Sequence, residues 1–267
     1  MIDRDPLQQE IIDRLRLLQQ QQPSRPAILL MSHLVLGYPS LEDNRRVIAA
    51  MVAAGVDLIE LQIPFSEPIA DGPVIAHANQ QALERGFRLG DGLALIAEMI
   101  DQYRVPFLIM SYANILEVYG QQAFIDRAAA IGVRGLIVPD LPIEESAVAR
   151  QHCRDNSLAW IALLAPNSSE QRLKSITDQG QGFCYCVARK GVTGQKSQFG
   201  EAVNAFIGRC RRATTQPLAV GFGVRQPSDI QQLRGIADIA VVGSAAIEVH
   251  QQSGLEAIHP FFTALRG

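Results

Sequence analysis

Apolar and polar residues follow one another along the chain in a pattern that predicts strands and helices in turn. The predicted strands are short apolar runs with apolar residues on both parities, which is typical of parallel strands covered on both faces. The predicted helices carry apolar stripes, such as Val47, Ile48, Met51 and Val52 in the helix that begins near residue 41. The predicted strands are 28–36, 57–63, 106–112, 135–138, 159–164, 183–187, 218–220 and 239–242.

Helical sequence follows each of these strands, which gives eight strand-helix units. A further helix, 6–19, comes first, and we expect its apolar face to close the floor of the fold. Eight units in 267 residues match a (β/α)8 TIM barrel with an extra N-terminal helix, as a single domain spanning 1–267. A doubly wound sheet is the main alternative, but it normally has fewer strands at this length, and G-x-G-x-x-G is absent after the first strand. The predicted helices are 6–19, 41 onward, 74–102, 121–131, 144–156, 170–179 and 200–212, with helical sequence after 220 and 242.

The composition of the chain argues against nucleic-acid-binding, membrane and secreted proteins. An apolar fraction of 48% and a net charge of −3 describe a soluble chain with a sizeable core and no basic footprint for nucleic acid. No window approaches the length of a membrane span, and the charged N-terminus lacks the apolar run of a signal peptide. We therefore expect a cytoplasmic protein that binds neither nucleic acid nor membrane. Because no cysteines form a C-x-x-C pair, neither a metal site nor a disulfide is expected.

Two carboxylates stand out in residues 55–73. Glu60 lies inside an apolar strand, where it has to be paired, protonated or at the exposed end beside a site. Asp71 follows on a loop stiffened by Pro64 and Pro68, and we expect it to stay ionised. Two fixed carboxylates in one pocket suggest acid-base chemistry. The alternative is that Glu60 pairs with a structural cation while Asp71 caps a helix beginning near Pro73.

A phosphate site is predicted separately, from glycines after the last two strands. Gly221-Phe222-Gly223 and Gly243-Ser244-Ala245 let backbone N–H groups approach an anion where a helix begins. Many barrels bind phosphate at this place. The stretch 188–194 after the sixth strand adds two cations and two glycines, a composition typical of a mobile loop that closes over a phosphorylated ligand, or of a flexible surface loop.

Taken together, these motifs resemble those of the tryptophan synthase alpha chain. The resemblance covers nearly the whole chain and implies cleavage of indole-3-glycerol phosphate, by a retro-aldol step, to indole and glyceraldehyde 3-phosphate. It implies no cofactor in this chain, since pyridoxal phosphate belongs to the beta chain that would join it in an alpha2-beta2 complex. The motifs that carry it are Gly37-Tyr38-Pro39, Glu60-Leu61, Pro64-Phe65-Ser66, Ala70-Asp71-Gly72-Pro73, Tyr112-Ala113-Asn114, Asp140-Leu141-Pro142, Gly191-Val192-Thr193-Gly194, Gly221-Phe222-Gly223 and Gly243-Ser244.

The resemblance also implies roles for individual residues. Glu60 would protonate the indole carbon and manage the proton of a glycerol hydroxyl, and Asp71 would accept the indole N–H. Arg189, Thr193 and Gly194 match the closing loop of the family, which would bring Thr193 toward Asp71. The other residues implied to bind substrate are His33, Tyr112, Tyr185, Phe222, Gly223, Gly243 and Ser244.

Four positions depart from the family pattern. The family usually has glycine at Gln62, and strand parity predicts that this long side chain faces the same way as Glu60 and intrudes on the site. It usually has aspartate at Glu67, where the beta chain would dock, and threonine at Val35. An aromatic residue usually stands at His33, which either lines the indole pocket or is a satisfied core histidine.

Three functions therefore stay open from the sequence. The first is the alpha-chain lyase. The second is a stand-alone indole-releasing or related sugar-phosphate lyase without a beta partner, which the residues Gln62 and Glu67 suggest. The third is a non-catalytic phosphate-binding relative, in which Glu60 would have no reason to occupy an apolar strand.

Overall fold

The strands form one parallel sheet that is closed into a barrel. The computed structural model describes residues 5–187, 201–221 and 223–267. The order of the strands across the sheet is β5-β4-β3-β2-β1-β9-β8-β7-β6. The bounds are β1 Leu29–Val35, β2 Leu58–Gln62, β3 Phe107–Met110, β4 Gly135–Ile137, β5 Ala159–Trp160, β6 Ala162–Leu164, β7 Cys184–Val187, β8 Leu218–Gly221 and β9 Ile239–Val242.

The two edges of this sheet are neighbouring pieces of chain. β5 pairs with β4, β6 pairs with β7, and Ile161 alone separates β5 from β6. The two segments are thus halves of the single predicted strand 159–164, and they close the ring at the eight strands of a (β/α)8 barrel. The alternative of a doubly wound sheet was wrong, because such a sheet is open, whereas here the two edges belong to one strand and the first strand pairs with the last.

Helices surround the barrel, and their bounds differ from the predictions at a few places. The helical stretches predicted within 74–102 are two helices with Gly86 between them at φ 81°. Helix α5 was not predicted. The bounds are α1 Pro6–Gln21, α2 Leu41–Ala53, α3 Pro73–Glu84, α4 Leu89–Gln102, α5 Ala113–Tyr119, α6 Gln121–Ala130, α7 Ala147–Asp155, α8 Glu170–Thr177, α9 Glu201–Ala213, α10 Pro227–Leu233, α11 Ser244–Ser253 and α12 Ile258–Arg266, with a 3-10 turn at Leu255–Ala257. Within the described ranges, none of these helices has the length and apolarity to cross a membrane.

Alternate residues of each strand face either the helices or the barrel interior. In β2, Ile59 and Leu61 pack in the cluster beneath the helices, whereas Leu58 belongs to the interior cluster. Residues 60 and 62 share the parity of residue 58, so Glu60 and Gln62 face the interior above it. The interior cluster also contains Leu29, Met31, Leu108, Met110, Tyr112, Ile137, Ala159, Ile161, Phe183, Ala219, Ile239 and Val241.

Helix α1 closes the amino end of the barrel, as the sequence predicts. Leu7 and Ile11 are buried within the interior cluster. The fit at this floor is close, since a Cβ atom on Gly182, just before β7, would lie 3.0 Å from the Leu7 side chain. Asp5 caps the helix by accepting from the Gln8 N–H at 3.0 Å, and its other oxygen accepts from the Gly182 N–H at 2.7 Å.

Leu7→Ala is expected to destabilise the protein without touching the opposite end of the barrel. Truncating this buried side chain leaves a cavity that costs about 3 kcal/mol of unfolding free energy, which lowers Tm by roughly 6 to 12 °C. Thermal melting measures the effect, and Leu17→Ala on the exposed face of the same helix is the control. Equal melting temperatures for the two variants would show that α1 is not part of the core.

Candidate active site

The carboxyl end of the barrel carries a layer of polar side chains on the interior parity. We call His33 of β1, Glu60 and Gln62 of β2, and Tyr185 of β7 the mouth layer. In the strand register, His33 lies directly opposite Glu60. This layer continues the parity of the apolar interior below it, so four polar groups face the space where a barrel enzyme binds its substrate.

Glu60 is buried and is joined to His33. The Nδ1 atom of His33 lies 3.0 Å from Oε1 of Glu60, and the residues are 4% and 3% exposed. Within the described ranges, neither Oε2 of Glu60 nor Nε2 of His33 has a hydrogen-bond partner. The alternative in which Glu60 pairs with a structural cation therefore takes a specific form, because the partner is a titratable histidine rather than lysine or arginine. The Nδ1 atom of His33 therefore bonds to Glu60, and Nε2 has no partner among the described residues.

The surroundings of His33 favour its charged form. Burial lowers the pKa of the imidazole, but the negative charge of Glu60 and its hydrogen bond outweigh this effect, so that the pKa is raised above 6.5. Asp71 and Gln62 add smaller contributions in the same direction. This histidine contributes stability that is fully present below pH 6.5 and is lost as the pH rises through the raised pKa.

Asp71 is held from two sides beside the mouth layer. Its Oδ2 accepts from Gln62 Nε2 at 2.7 Å and from the Tyr112 hydroxyl at 3.0 Å. The Tyr112 oxygen in turn accepts from the Ala70 N–H at 3.1 Å, and its ring stacks on Phe65 with centroids 5.0 Å apart. Tyr112, which the sequence assigns to the substrate site, thus also fixes the carboxylate in place.

The alternative in which Asp71 caps the next helix is wrong, since the N-cap of α3 is Gly72, which has no side chain to bond the helix N–H groups. Asp71 itself is half-buried. Burial raises the pKa of Asp71, and this effect exceeds the opposing effects of the charge of His33 and of the hydrogen bonds from Gln62 and Tyr112.

Gln62 takes up the space between the carboxylates, as its parity predicts. It is fully buried, and its Nε2 bonds to Asp71 and also to Oδ1 of Asn79 at 3.3 Å. Asn79 was missed from the sequence. It is a buried residue of α3 whose Oδ1 accepts from the Phe65 N–H at 2.9 Å, so it ties the carboxylate loop to the helix. The family-atypical glutamine is therefore part of the network that holds Asp71.

Tyr185 completes the mouth layer from the opposite side of the barrel. Burial, with the charges of Glu60 and Asp71, raises the pKa of its phenol well above the ordinary value. The ring needs the glycine on the neighbouring strand, since a Cβ atom on Gly221 would lie 3.0 Å from a ring carbon. The tyrosine is thus a neutral hydroxyl that faces both carboxylates.

The predicted phosphate site lies at the ends of two adjacent strands. Gly223 follows β8 at φ 77°, and Gly243 follows β9 as the N-cap of α11. Ser244 is the first residue of that ten-residue helix, whose N-terminal N–H groups point out of the barrel end. The predicted residues Phe222, Arg189, Thr193 and Gly194 lie outside the described residues, as does the rest of the 189–198 loop.

Comparison with known proteins places the chain in a family. The model of the tryptophan synthase alpha chain family matches residues 17–259. The tryptophan synthase alpha chain of Desulfotalea psychrophila is 48% identical over 90% of this chain and 94% of its own length. That of Synechocystis is 38% identical over 89% of this chain and 92% of its own length.

Solved structures agree with the sequence relatives. The tryptophan synthase of Mycobacterium tuberculosis superposes with a TM-score of 0.88 at 32% identity, covering 98% of this chain and 97% of the other. A mutant alpha subunit from Pyrococcus furiosus gives a TM-score of 0.83 at 30% identity, covering 90% and 98%. With one buried and one half-buried carboxylate at the barrel mouth and glycines after the last two strands, the chain belongs to the tryptophan synthase alpha chain family, the indole-3-glycerol-phosphate lyases of tryptophan biosynthesis.

Proposed function

We propose that Glu60 and Asp71 are the two groups that cleave indole-3-glycerol phosphate. The observation that carries this assignment is their placement. Glu60 presents Oε2 with no partner among the described residues, and Asp71 is fixed by two donors, one of them Gln62 of the same strand as Glu60. One carboxyl can therefore move a proton while the other keeps its orientation.

The reaction needs both groups because the bond that breaks joins the side chain to an aromatic ring. Glu60 protonates the ring carbon, which leaves positive charge on the indole nitrogen, and Asp71 accepts the indole N–H and stabilises that charge. The carbon-carbon bond then breaks, the electrons return to the ring, and the glycerol hydroxyl loses its proton as the aldehyde forms. One proton is thus taken up at carbon and one is released from oxygen, with Glu60 handling both.

The remaining predicted residues surround these two. Tyr112 and Tyr185 border the indole, His33 lies behind Glu60, and the phosphate ester binds at Gly223, Gly243 and Ser244. Phe222 and the 189–194 loop, with Arg189, Thr193 and Gly194, belong to this proposal on sequence grounds. We propose no cofactor for this chain.

A beta chain of tryptophan synthase is the proposed partner. Two large apolar side chains, Ile69 at 67% and Val118 at 81%, are exposed after β2 and β3, beside the mouth of the barrel. Glu67 is exposed on the same loop as Ile69, so the change from the family aspartate lies on this surface. A relative of known structure from Pyrococcus furiosus is described as a tryptophan synthase complex. We place the assembly, alpha2-beta2, in the cytoplasm, with residues 1–267 acting as one barrel domain.

Indole release from indole-3-glycerol phosphate, measured with and without a beta chain, tests the proposal. We expect indole in both reactions and a faster rate with the partner. Indole formed at an unchanged rate, with no co-elution of the two chains, would support the stand-alone lyase. No indole in either reaction would support the non-catalytic phosphate-binding relative.

Gly243→Val is expected to raise KM about tenfold or more, while kcat falls less. Among the described residues, a Cβ atom at this position meets only the Ile75 side chain, at 3.9 Å, so the backbone here accepts a side chain. The added methyl groups occupy the space in front of the α11 N-terminus, where the phosphate would bind. Steady-state kinetics measure the effect, and Gly90→Val on an open surface is the control. An unchanged KM would refute this phosphate site.

A further inference from the structure

Two buried polar atoms in the mouth layer lack partners among the described residues, and they belong to side chains that flank the same space. They are Nε2 of His33 and Oε1 of Gln62. Each side chain is bonded at its other end to one carboxylate, His33 to Glu60 and Gln62 to Asp71. Burying an unpaired donor or acceptor costs free energy, so the two atoms require an explanation.

The orientation of the Gln62 amide is fixed by its neighbours. Its nitrogen faces Oδ2 of Asp71 and Oδ1 of Asn79. Both atoms accept, because Asn79 Oδ1 also takes the Phe65 N–H while Asn79 Nδ2 donates to the Ile75 carbonyl at 2.8 Å. The Gln62 nitrogen therefore donates both of its hydrogens, and its oxygen points the other way, where it can only accept.

The orientation of His33 follows from that. Gln62 Oε1 and His33 Nε2 both lack partners among the described residues, and Gln62 is among the groups that raise the pKa of His33, so we infer that this oxygen is the acceptor for Nε2. An acceptor beside Nε2 requires a hydrogen on Nε2. The proton that the ring gains and loses on titration is then the one on Nδ1, which lies 3.0 Å from Oε1 of Glu60.

We propose that His33 and Gln62 are positioning residues that join Glu60 and Asp71 into one hydrogen-bonded chain once Nε2 of His33 donates to Oε1 of Gln62, and that the proton shared between His33 Nδ1 and Glu60 Oε1 is the proton that Glu60 delivers to the indole carbon. The inference rests on the proposed roles of Glu60 and Asp71. It assigns a function to two residues at which the family usually carries an aromatic residue and a glycine.

The proton balance closes within the pair. Before cleavage the shared proton is on Nδ1. It passes to Oε1, and Glu60 then delivers it to the ring carbon, which leaves His33 neutral and moves the positive charge to the indole ring. When the glycerol hydroxyl ionises to the aldehyde, its proton returns through Glu60 to Nδ1. The 2.7 Å bond from Gln62 Nε2 keeps Asp71 aligned throughout.

Three groups act on the imidazole from the elements around it. Glu60 and Gln62 do so from β2 and Asp71 from the following loop, while Tyr185 of β7 lies near the two carboxylates. Both carboxylates favour the charged ring and burial opposes it. High pH therefore removes the shared proton, and indole release should fall as the pH rises through the raised pKa of His33.

Nitrogen NMR of the full-length chain with labelled histidine tests the arrangement without an activity measurement. The chain has five histidines, and His33→Phe identifies the resonance of interest. We expect Nε2 to stay protonated while Nδ1 titrates with a midpoint above 6.5. Glu60→Gln should lower that midpoint by about one pH unit or more. A neutral ring protonated on Nδ1, or a midpoint that Glu60→Gln leaves in place, would overturn the inference.

The pH profile of kcat provides the second readout. Gln62→Met keeps the volume of the side chain but removes the amide, and we expect the high-pH limb to move about half a pH unit or more to lower pH. If Gln62 had only a structural role, Gln62→Met would lower kcat by the same factor at every pH. His259→Phe, on the exposed face of α12, is the control for loss of a histidine.

The two proposals fail in different ways. Full activity of Glu60→Gln would refute the assignment of Glu60 itself, whatever the resonance of His33 shows. An inactive Glu60→Gln, combined with a high-pH limb that neither Gln62→Met nor His33→Phe moves, would leave the lyase assignment intact and refute the hydrogen-bonded chain.

Discussion

Glu60→Gln is expected to lower kcat for indole release by about 10²-fold to 10⁴-fold, the usual range for removing a general acid-base group. The amide keeps the shape of the side chain and still bonds to His33, so binding of indole-3-glycerol phosphate should survive. It cannot give a proton to the ring carbon or take one from the glycerol hydroxyl. The variant should therefore bind the substrate but cleave it much more slowly.

Single-turnover indole release measures the chemical step, and equilibrium binding of the substrate to the same variant measures the site. Glu84→Gln, at the exposed end of α3, controls for the substitution itself. Activity within about tenfold of the unaltered chain, which is about 1.4 kcal/mol in the barrier, would contradict the role of Glu60.

The sequence predicts the barrel well because strand burial leaves a plain pattern. Runs such as 239–242, apolar on both parities, match the observed β9 at both ends. The features of the fold that the sequence did not predict are short or depend on contacts between distant parts of the chain. Helix α5 begins directly after the Tyr112 segment and is only seven residues long, too short to show a helical stripe. The break at Ile161 arises because one strand has to pair with both β4 and β7.

The chemistry of the site is predicted less completely than the fold. A charged residue in an apolar strand marks Glu60, and parity correctly places Gln62 on the same face. Pairing of His33 with Glu60 depends on the register between β1 and β2, which bridges 27 positions and has no local signal. The partners of Asp71 depend on how a loop folds back over the barrel, so Gln62 was predicted to intrude where it in fact donates a bond.

Asp71→Asn is expected to lower kcat/KM by about 10²-fold or more, because an amide nitrogen then faces the indole N–H where an acceptor is needed. One oxygen remains for the bonds from Gln62 and Tyr112, so the loop should keep its place. The fold should not suffer, since burial raises the pKa of Asp71 and thus disfavours its ionised form in the folded state. A neutral side chain removes that cost at pH values above the raised pKa, and Tm at pH 8 should be equal or higher.

Asp57→Asn gives the opposite pattern and serves as the matched control. Asp57 lies just before β2 at the other end of the barrel, where it accepts from the Leu30 N–H at 2.8 Å and from Arg266 at 3.0 Å. Neutralising it leaves a partly buried arginine without its counter-charge, so Tm should fall while kcat/KM stays within about twofold. Melting curves and indole release from both variants separate the two aspartates. If Asp71→Asn loses activity only in proportion to a lowered Tm, or if Asp57→Asn loses as much activity as Asp71→Asn, then Asp71 holds the structure rather than the indole nitrogen.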